Sequence, residues 1–211
     1  MKSAISLPTD MCIIVTYRCP MQCQMCNIWQ NPTDQHQEIT PMEMERLPKV
    51  KFINITGGEP FVREDLEEII EVAFRKSPRV VISTSGWFEE RIIHLAEKFP
   101  KIGIRISIEG LSLKNDELRG RKGGFDKGLR TLLRLQEMGV KDIGFGITVS
   151  NSNSADMLSL YRLSRSLGME FATAALHNSY YFHKTDNTIT NQTEVCGNFS
   201  KLIEWQLKEK H

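Results

Sequence analysis

Lys51-Phe52-Ile53-Asn54-Ile55-Thr56-Gly57-Gly58-Glu59-Pro60 reads as a strand that runs into a turn opening a helix. The apolar, partly β-branched run over Lys51 to Thr56 suits a strand. Two glycines then permit a tight backbone path. Pro60 fits the start of a helix, and Val62, Leu66, Ile69, Ile70 and Ala73 recur at helical spacing. The same unit repeats on both sides. Upstream, Cys12 to Thr16 is a short apolar strand, and Cys12 itself reads as strand core. Thr40-Pro41-Met42-Glu43 is a helix start, with Thr as N-cap, Pro at the first helical position and Glu placed for a capping box. Downstream, strands are expected at Arg79 to Thr84, Ile102 to Ile108, Asp142 to Val149 and Met169 to Leu176. Between them lie helical faces built on Phe88, Ile92 and Leu95, on Phe125, Leu129 and Leu132 with a C-cap at Gly139, and on Leu160, Leu163 and Leu167. Phe199, Leu202 and Ile203 begin a final helix.

Strands alternating with helices predict an α/β fold of six units, with parallel strands and right-handed crossovers. Periodicity leaves two architectures open, a doubly wound open sheet and a sheet curved into part of a barrel. In both, ligands gather at the carboxyl ends of the strands. The loops to watch are therefore Arg18 to Ile39, Gly57 to Arg63, Ser85 to Trp87, Glu109 to Gly124, Ser150 to Ser154 and His177 to Thr193.

Composition bounds the rest. With 211 residues, 40% of them hydrophobic, residues 1–211 read as one domain with a real core. Lys plus Arg is 27 against 26 Asp plus Glu, a net charge of +1, which argues against bulk nucleic-acid binding. No apolar run approaches the roughly 20 residues of a membrane span. The first ten residues lack a secretory apolar stretch. The expectation is a cytoplasmic protein without a membrane partner.

Cys19-Pro20-Met21-Gln22-Cys23-Gln24-Met25-Cys26 follows the first strand directly, with Cys12 and Cys196 standing apart. An odd, clustered set is metal-site material rather than disulfide material. A structural zinc site wants four closed ligands. A fourth from His36, Cys12 or Cys196 lacks ordinary zinc-finger spacing. An iron–sulfur cubane on three cysteines leaves one iron open to a substrate or cofactor. A non-catalytic zinc- or cluster-binding module remains the alternative. Gly57 to Pro60 is by itself either a plain strand-to-helix turn or a ligand-holding one.

The C-x3-C-x2-C spacing after the first strand, followed by Gly57-Gly58-Glu59-Pro60 after the second, resembles the radical S-adenosylmethionine superfamily. The resemblance implies a six-unit (β/α) partial TIM-type barrel. It implies that Cys19, Cys23 and Cys26 ligate a 4Fe–4S cluster, and that Gly57, Gly58, Glu59 and Pro60 hold the amino group of S-adenosylmethionine. Met25 stands where the family usually has an aromatic residue and would pack near the adenine. Ser83, in a polar strand end closing at Gly86, would touch the cofactor, and Ser107 and Glu109, the last in place of the usual Asp, would face the ribose or carboxylate. Thr148 and Asn151 would face the nucleoside, and Leu176 the adenine. The implied reaction takes one electron from a carrier such as flavodoxin or ferredoxin and splits the sulfonium. The 5′-deoxyadenosyl radical so formed abstracts hydrogen from an unidentified peptide or small-molecule substrate. The motifs look most like the group of peptide- and sulfatase-modifying enzymes and the molybdenum-cofactor cyclase. Many of those carry a further cysteine-rich C-terminal domain. This chain ends at Lys210-His211, so a minimal member or a truncated chain is expected. Arg119-Gly120-Arg121-Lys122-Gly123-Gly124 reads as a solvated basic loop, with a carboxylate- or phosphate-holding role as the alternative. Asn178, Tyr180, Tyr181, His183 and Lys184 are expected at the barrel mouth, as substrate contacts or as cover.

Overall fold

The computed structural model describes residues 8–209. The strands are β1 (Asp10–Ile14), β2 (Phe52–Thr56), β3 (Arg79–Thr84), β4 (Gly103–Ser107), β5 (Ile143–Val149) and β6 (Glu170–Ala175). They form one sheet in sequence order, with every neighbouring pair parallel. The helices are α1 (Pro41–Met44), α2 (Leu66–Lys76), α3 (Glu89–Lys98), α4 (Leu113–Arg119), α5 (Gly124–Glu137), α6 (Ser154–Ser166) and α7 (Gln192–Glu209). The strand order decides between the two architectures. A doubly wound sheet reverses its order at a switch point and carries helices on both faces. Here successive crossovers of one hand put the helices on one face, and the sheet curls into a half-barrel.

Alternation along the strands sets the two faces. Ile53, Ile55, Ile82, Ile104, Ile106 and Phe145 are fully buried beneath the helices. Each such side chain contributes about 1.5–3 kcal/mol relative to exposure. Their neighbours Asn54, Ser83, Arg105, Ser107 and Thr148 are half-buried and face the barrel side. The apolar face holds the fold, which frees the other face for polar groups.

Thr40 caps α1 as expected: its backbone N–H donates to Glu43 Oε2 at 2.8 Å, and Glu43 N–H donates to Thr40 Oγ1 at 3.2 Å. Beyond α5, Val140 N–H reaches back to the Leu135 carbonyl at 3.0 Å around Gly139, the expected C-cap.

Two expectations are corrected. Cys12 is exposed on the barrel side of β1, because the strand's register turns Ile13 and Val15 toward the helices instead. The segment from Glu109 to Gly124 is not all loop, for α4 lies inside it. The buried residues of α4 are Asn115, Leu118 and Arg119, so the helix carries no apolar stripe to read. Among the described residues, no helix is long and apolar enough to cross a membrane.

Candidate metal and cofactor site

Two residues beyond β1, at Thr16, the chain is knotted by one carboxylate. Glu38 accepts from Thr16 Oγ1, from Thr33 Oγ1 at 2.8 Å, and from Arg18 through Nε and Nη2, both at 2.9 Å. Burial pushes the Glu38 carboxyl up, but the bonds from Arg18, Thr16 and Thr33 outweigh it and hold the group below its ordinary value. This knot fixes the stem of the cysteine loop.

Gly57 and Gly58 meet that stem from β2. Gly58 N–H donates to the Thr16 carbonyl at 2.7 Å, and Glu59 N–H to the Arg18 carbonyl at 2.9 Å. Gly57 has φ +140°, and a Cβ there would sit 2.3 Å from the Thr16 oxygen. A Cβ on Gly58 would sit 2.4 Å from the Arg18 oxygen. Any side chain at either position would push the two loops apart.

Cys19, Cys23 and Cys26 are partly buried and line one cavity of about 250 Å³. Burial pushes the Cys19 thiol up to about 12 and raises Cys23 and Cys26 too, while the Arg119 charge pulls against it at all three. The same cavity is lined by Met25, Gly57, Gly58 and Ser83 from the expected set. Ser107, Glu109, Thr148 and Leu176 line it from the strands beyond.

Glu59, Pro60 and Asn151 do not line it. Glu59 is fully buried. It accepts from Thr84 Oγ1 at 2.7 Å, from Phe61 N–H at 3.2 Å, and from the Ser85 N–H at 2.8 Å and its hydroxyl. Both carboxylate oxygens are thus occupied in joining the end of β2 to the end of β3. Pro60 is buried at the start of a 3-10 turn. Asn151 donates to the Thr188 carbonyl at 3.3 Å and accepts from Asn191 N–H at 3.0 Å, holding the approach to α7.

The basic stretch contributes what its sequence concealed. Arg119 is buried at the C-terminal end of α4 and lines the cavity, so it is no solvated charge. Its Nη1 donates to Glu109 Oε1 at 3.1 Å, while Glu109 Oε2 accepts from Thr148 N–H at 2.7 Å. Burial raises the Glu109 carboxyl despite that pairing. Among the described residues, Arg119 Nε has no hydrogen-bond partner. A buried guanidinium N–H left unpaired is costly, and it offers a donor to an anionic ligand. His177 and Phe182 also line the cavity from the segment after β6. Only the position of that segment after the last strand signalled it. Of the expected substrate contacts there, Tyr180 is 91% exposed, Lys184 pairs with Asp186 at 3.0 Å, and His183 packs edge-on to Tyr17.

The donor set can be tested against the groups it might hold. Among the described residues, no three His, Cys, Asp or Glu side chains converge closely enough for a single metal ion. His36 is exposed in a 3-10 turn away from the cavity. Three soft thiols from one loop on one cavity, with a buried cation behind them, suit an iron–sulfur cluster better than a mononuclear zinc site.

A half-barrel that gathers thiols, a paired arginine and close-packed glycines at its strand ends belongs to the cofactor-dependent α/β enzymes. The particular family follows from comparison. A family model described as the Radical SAM superfamily matches residues 13–163, and the chain belongs to that superfamily. It is an enzyme family that uses a 4Fe–4S cluster and S-adenosylmethionine. The chain is 32% identical to Fe-coproporphyrin III synthase of Methanosarcina barkeri, over 71% of this chain and 39% of that protein. It is 30% identical to GTP 3′,8-cyclase of Aquifex aeolicus, over 82% of this chain and 59% of that protein. In fold it is similar to Streptococcus suis SuiB bound to S-adenosylmethionine, with a TM-score of 0.79, 16% identity, and 97% of this chain on 49% of that one. The matches span between 39% and 59% of the lengths of these proteins, less than two thirds of each.

Proposed function

We propose that Cys19, Cys23 and Cys26 hold a 4Fe–4S cluster and that S-adenosylmethionine binds beside it for reductive cleavage. The observation that carries this reading is the single cavity shared by the three cysteines, the Glu109–Arg119 pair and the Gly57–Gly58 backbone. Held by Cys19, Cys23 and Cys26, the cluster would supply the one-electron reduction of the bound sulfonium that initiates hydrogen abstraction from a substrate.

The chain's own groups bind, orient and exclude water. Arg119 offers its free Nε–H to the cofactor carboxylate, a charge-assisted bond. Gly57 and Gly58 present backbone to the amino end, and Glu59 acts on that end through the turn it braces. Ser107 and Thr148 lie at strand ends where the ribose would sit, and Met25 and Leu176 supply apolar surface for the adenine. His177 and Phe182 limit the entry of water. The substrate is a peptide or small molecule, and the electron comes from a reduced carrier protein.

The test is anaerobic reconstitution, followed by iron analysis and the thiolate-to-iron absorbance at roughly 400 nm. Dithionite and S-adenosylmethionine are then added and 5′-deoxyadenosine is assayed. Cys19→Ala, Cys23→Ala and Cys26→Ala should each lose iron and cleavage, while Cys12→Ala and Cys196→Ala keep both. A colourless protein that binds zinc stoichiometrically would sink the reading.

A further inference from the structure

A second group of charges sits outside the cavity. Trp87, in the turn after β3, carries two cations against its ring: Arg121 Cζ is 4.3 Å and Lys127 Nζ 4.2 Å from its centroid. Lys122, between them in sequence, is exposed. Among the described residues, none of the three cations has a carboxylate within 4.0 Å. The near acid, Asp116, accepts instead from the Gly123 and Phe125 N–H groups, and Asp126 is exposed beside Lys127. Cations held against an indole are partly stripped of water and fixed in place. None of Trp87, Arg121, Lys122 or Lys127 lines the cavity, so the cofactor does not account for them.

The patch is mounted directly on the cysteine loop. Arg121 Nη1 donates to the Pro20 carbonyl at 3.2 Å, and Pro20 follows Cys19. Gln22 N–H donates to the Arg119 carbonyl at 3.1 Å, and Gln24 N–H to the Leu118 carbonyl at 2.9 Å. Gly120 has φ +64°, and a Cβ there would lie 2.5 Å from the Gln22 oxygen, so glycine lets these segments meet.

We propose that Trp87, Arg121, Lys122 and Lys127 form the docking surface for an acidic one-electron donor protein. The inference rests on the cluster reading above and adds where the electron enters. With a net charge of only +1, the chain has no general field to draw in an acidic partner, so a local patch must orient it. A donor seated there touches Arg121, whose guanidinium bonds the carbonyl of Pro20 next to Cys19, and covers no residue that lines the cavity. One electron passes from the donor's reduced flavin or cluster to the enzyme's cluster, with no bond made or broken.

The test uses the cluster-loaded chain, an acidic flavodoxin as probe, and the variant Lys122→Glu/Lys127→Glu. Arg121 is kept because it bonds the cysteine loop. At low salt the variant should bind flavodoxin about tenfold more weakly or worse, and accept its electrons correspondingly more slowly. Added salt should weaken binding by the wild type much more than by the variant. Iron content and reduction by dithionite should not change. Equal reduction of wild type and variant by flavodoxin would overturn the proposal. So would an equal loss with dithionite, or a single-stranded oligonucleotide that binds the patch more tightly than flavodoxin does. A chain that takes up no iron yet binds flavodoxin through these lysines would refute the cluster reading and leave the surface standing.

Discussion

Arg119 and Glu109 are each buried and form an ion pair at 3.1 Å. Removing one partner of such a pair leaves a buried charge, at about 3–5 kcal/mol. Arg119→Ala should therefore lower the urea midpoint strongly, while Arg119→Met/Glu109→Gln should recover most of the loss and still bind S-adenosylmethionine poorly. A double variant no more stable than Arg119→Ala would show that the pair is not coupled. Glu59→Gln swaps one acceptor for a donor facing the Ser85 and Thr84 groups. A buried mismatch of this kind costs about 1–3 kcal/mol. The variant should lose stability and cofactor affinity together, as a brace would; loss of affinity alone would mean direct contact instead. Glu59 and Glu109 were legible because each sits beside glycine at a strand end, in a motif that carries the family resemblance. Arg119 was not, because Arg-Gly-Arg-Lys-Gly-Gly has the look of any solvated basic loop. Its partner lies ten residues upstream across a helix that carries no periodic signal.

The loop from Thr16 to Asn31 has almost no regular structure, so its shape depends on the Glu38 knot and on α4. Glu38 is held below its ordinary pKa. A carboxylate depressed in the folded state contributes stability above its unfolded value and loses it as pH falls through the folded value. The contribution should thus be complete at neutral pH and fade below about pH 4. Glu38→Gln should be less stable than the wild type at pH 7, and the gap should narrow as the pH is lowered through the acid range, as read by denaturant midpoints. A gap that does not narrow at all on acidification would assign the effect to packing. Most strands were legible because alternation, or an apolar run rich in β-branched residues, marks them. Arg79 to Thr84 was read to the residue. The knot was not legible: Thr16, Thr33, Glu38 and Arg63 converge from segments far apart in sequence, and no local pattern encodes that meeting.

Six strands in sequential order leave β1 and β6 as free edges, so the half-barrel has an open seam between them. That opening followed from counting units in the sequence. What crosses it did not, because a polar loop carries no mark of its docking site. The segment after β6 reaches over to the cysteine loop: Asn27 N–H donates to the Phe182 carbonyl at 2.9 Å, and Asn27 Nδ2 to the His183 carbonyl at 3.0 Å. Asn187 Nδ2 donates both to the Met25 carbonyl at 3.1 Å and to the His177 carbonyl at 3.0 Å. Tyr181 packs on Tyr17 with ring centroids 5.6 Å apart, and burial pushes its hydroxyl pKa up. The segment after β6 and the cysteine loop are therefore mechanically one unit, although 162 residues separate Met25 from Asn187 in sequence. Loading iron should order both. In hydrogen–deuterium exchange, residues 19–30 and 177–187 should gain protection together on reconstitution. Asn187→Ala removes bonds worth about 1 kcal/mol each. It should raise exchange in both segments about tenfold, leaving β3 and β4 unchanged. Protection confined to residues 19–30 would show that the segment after β6 moves independently of the loop beneath it, and that the seam is closed by something other than these bonds.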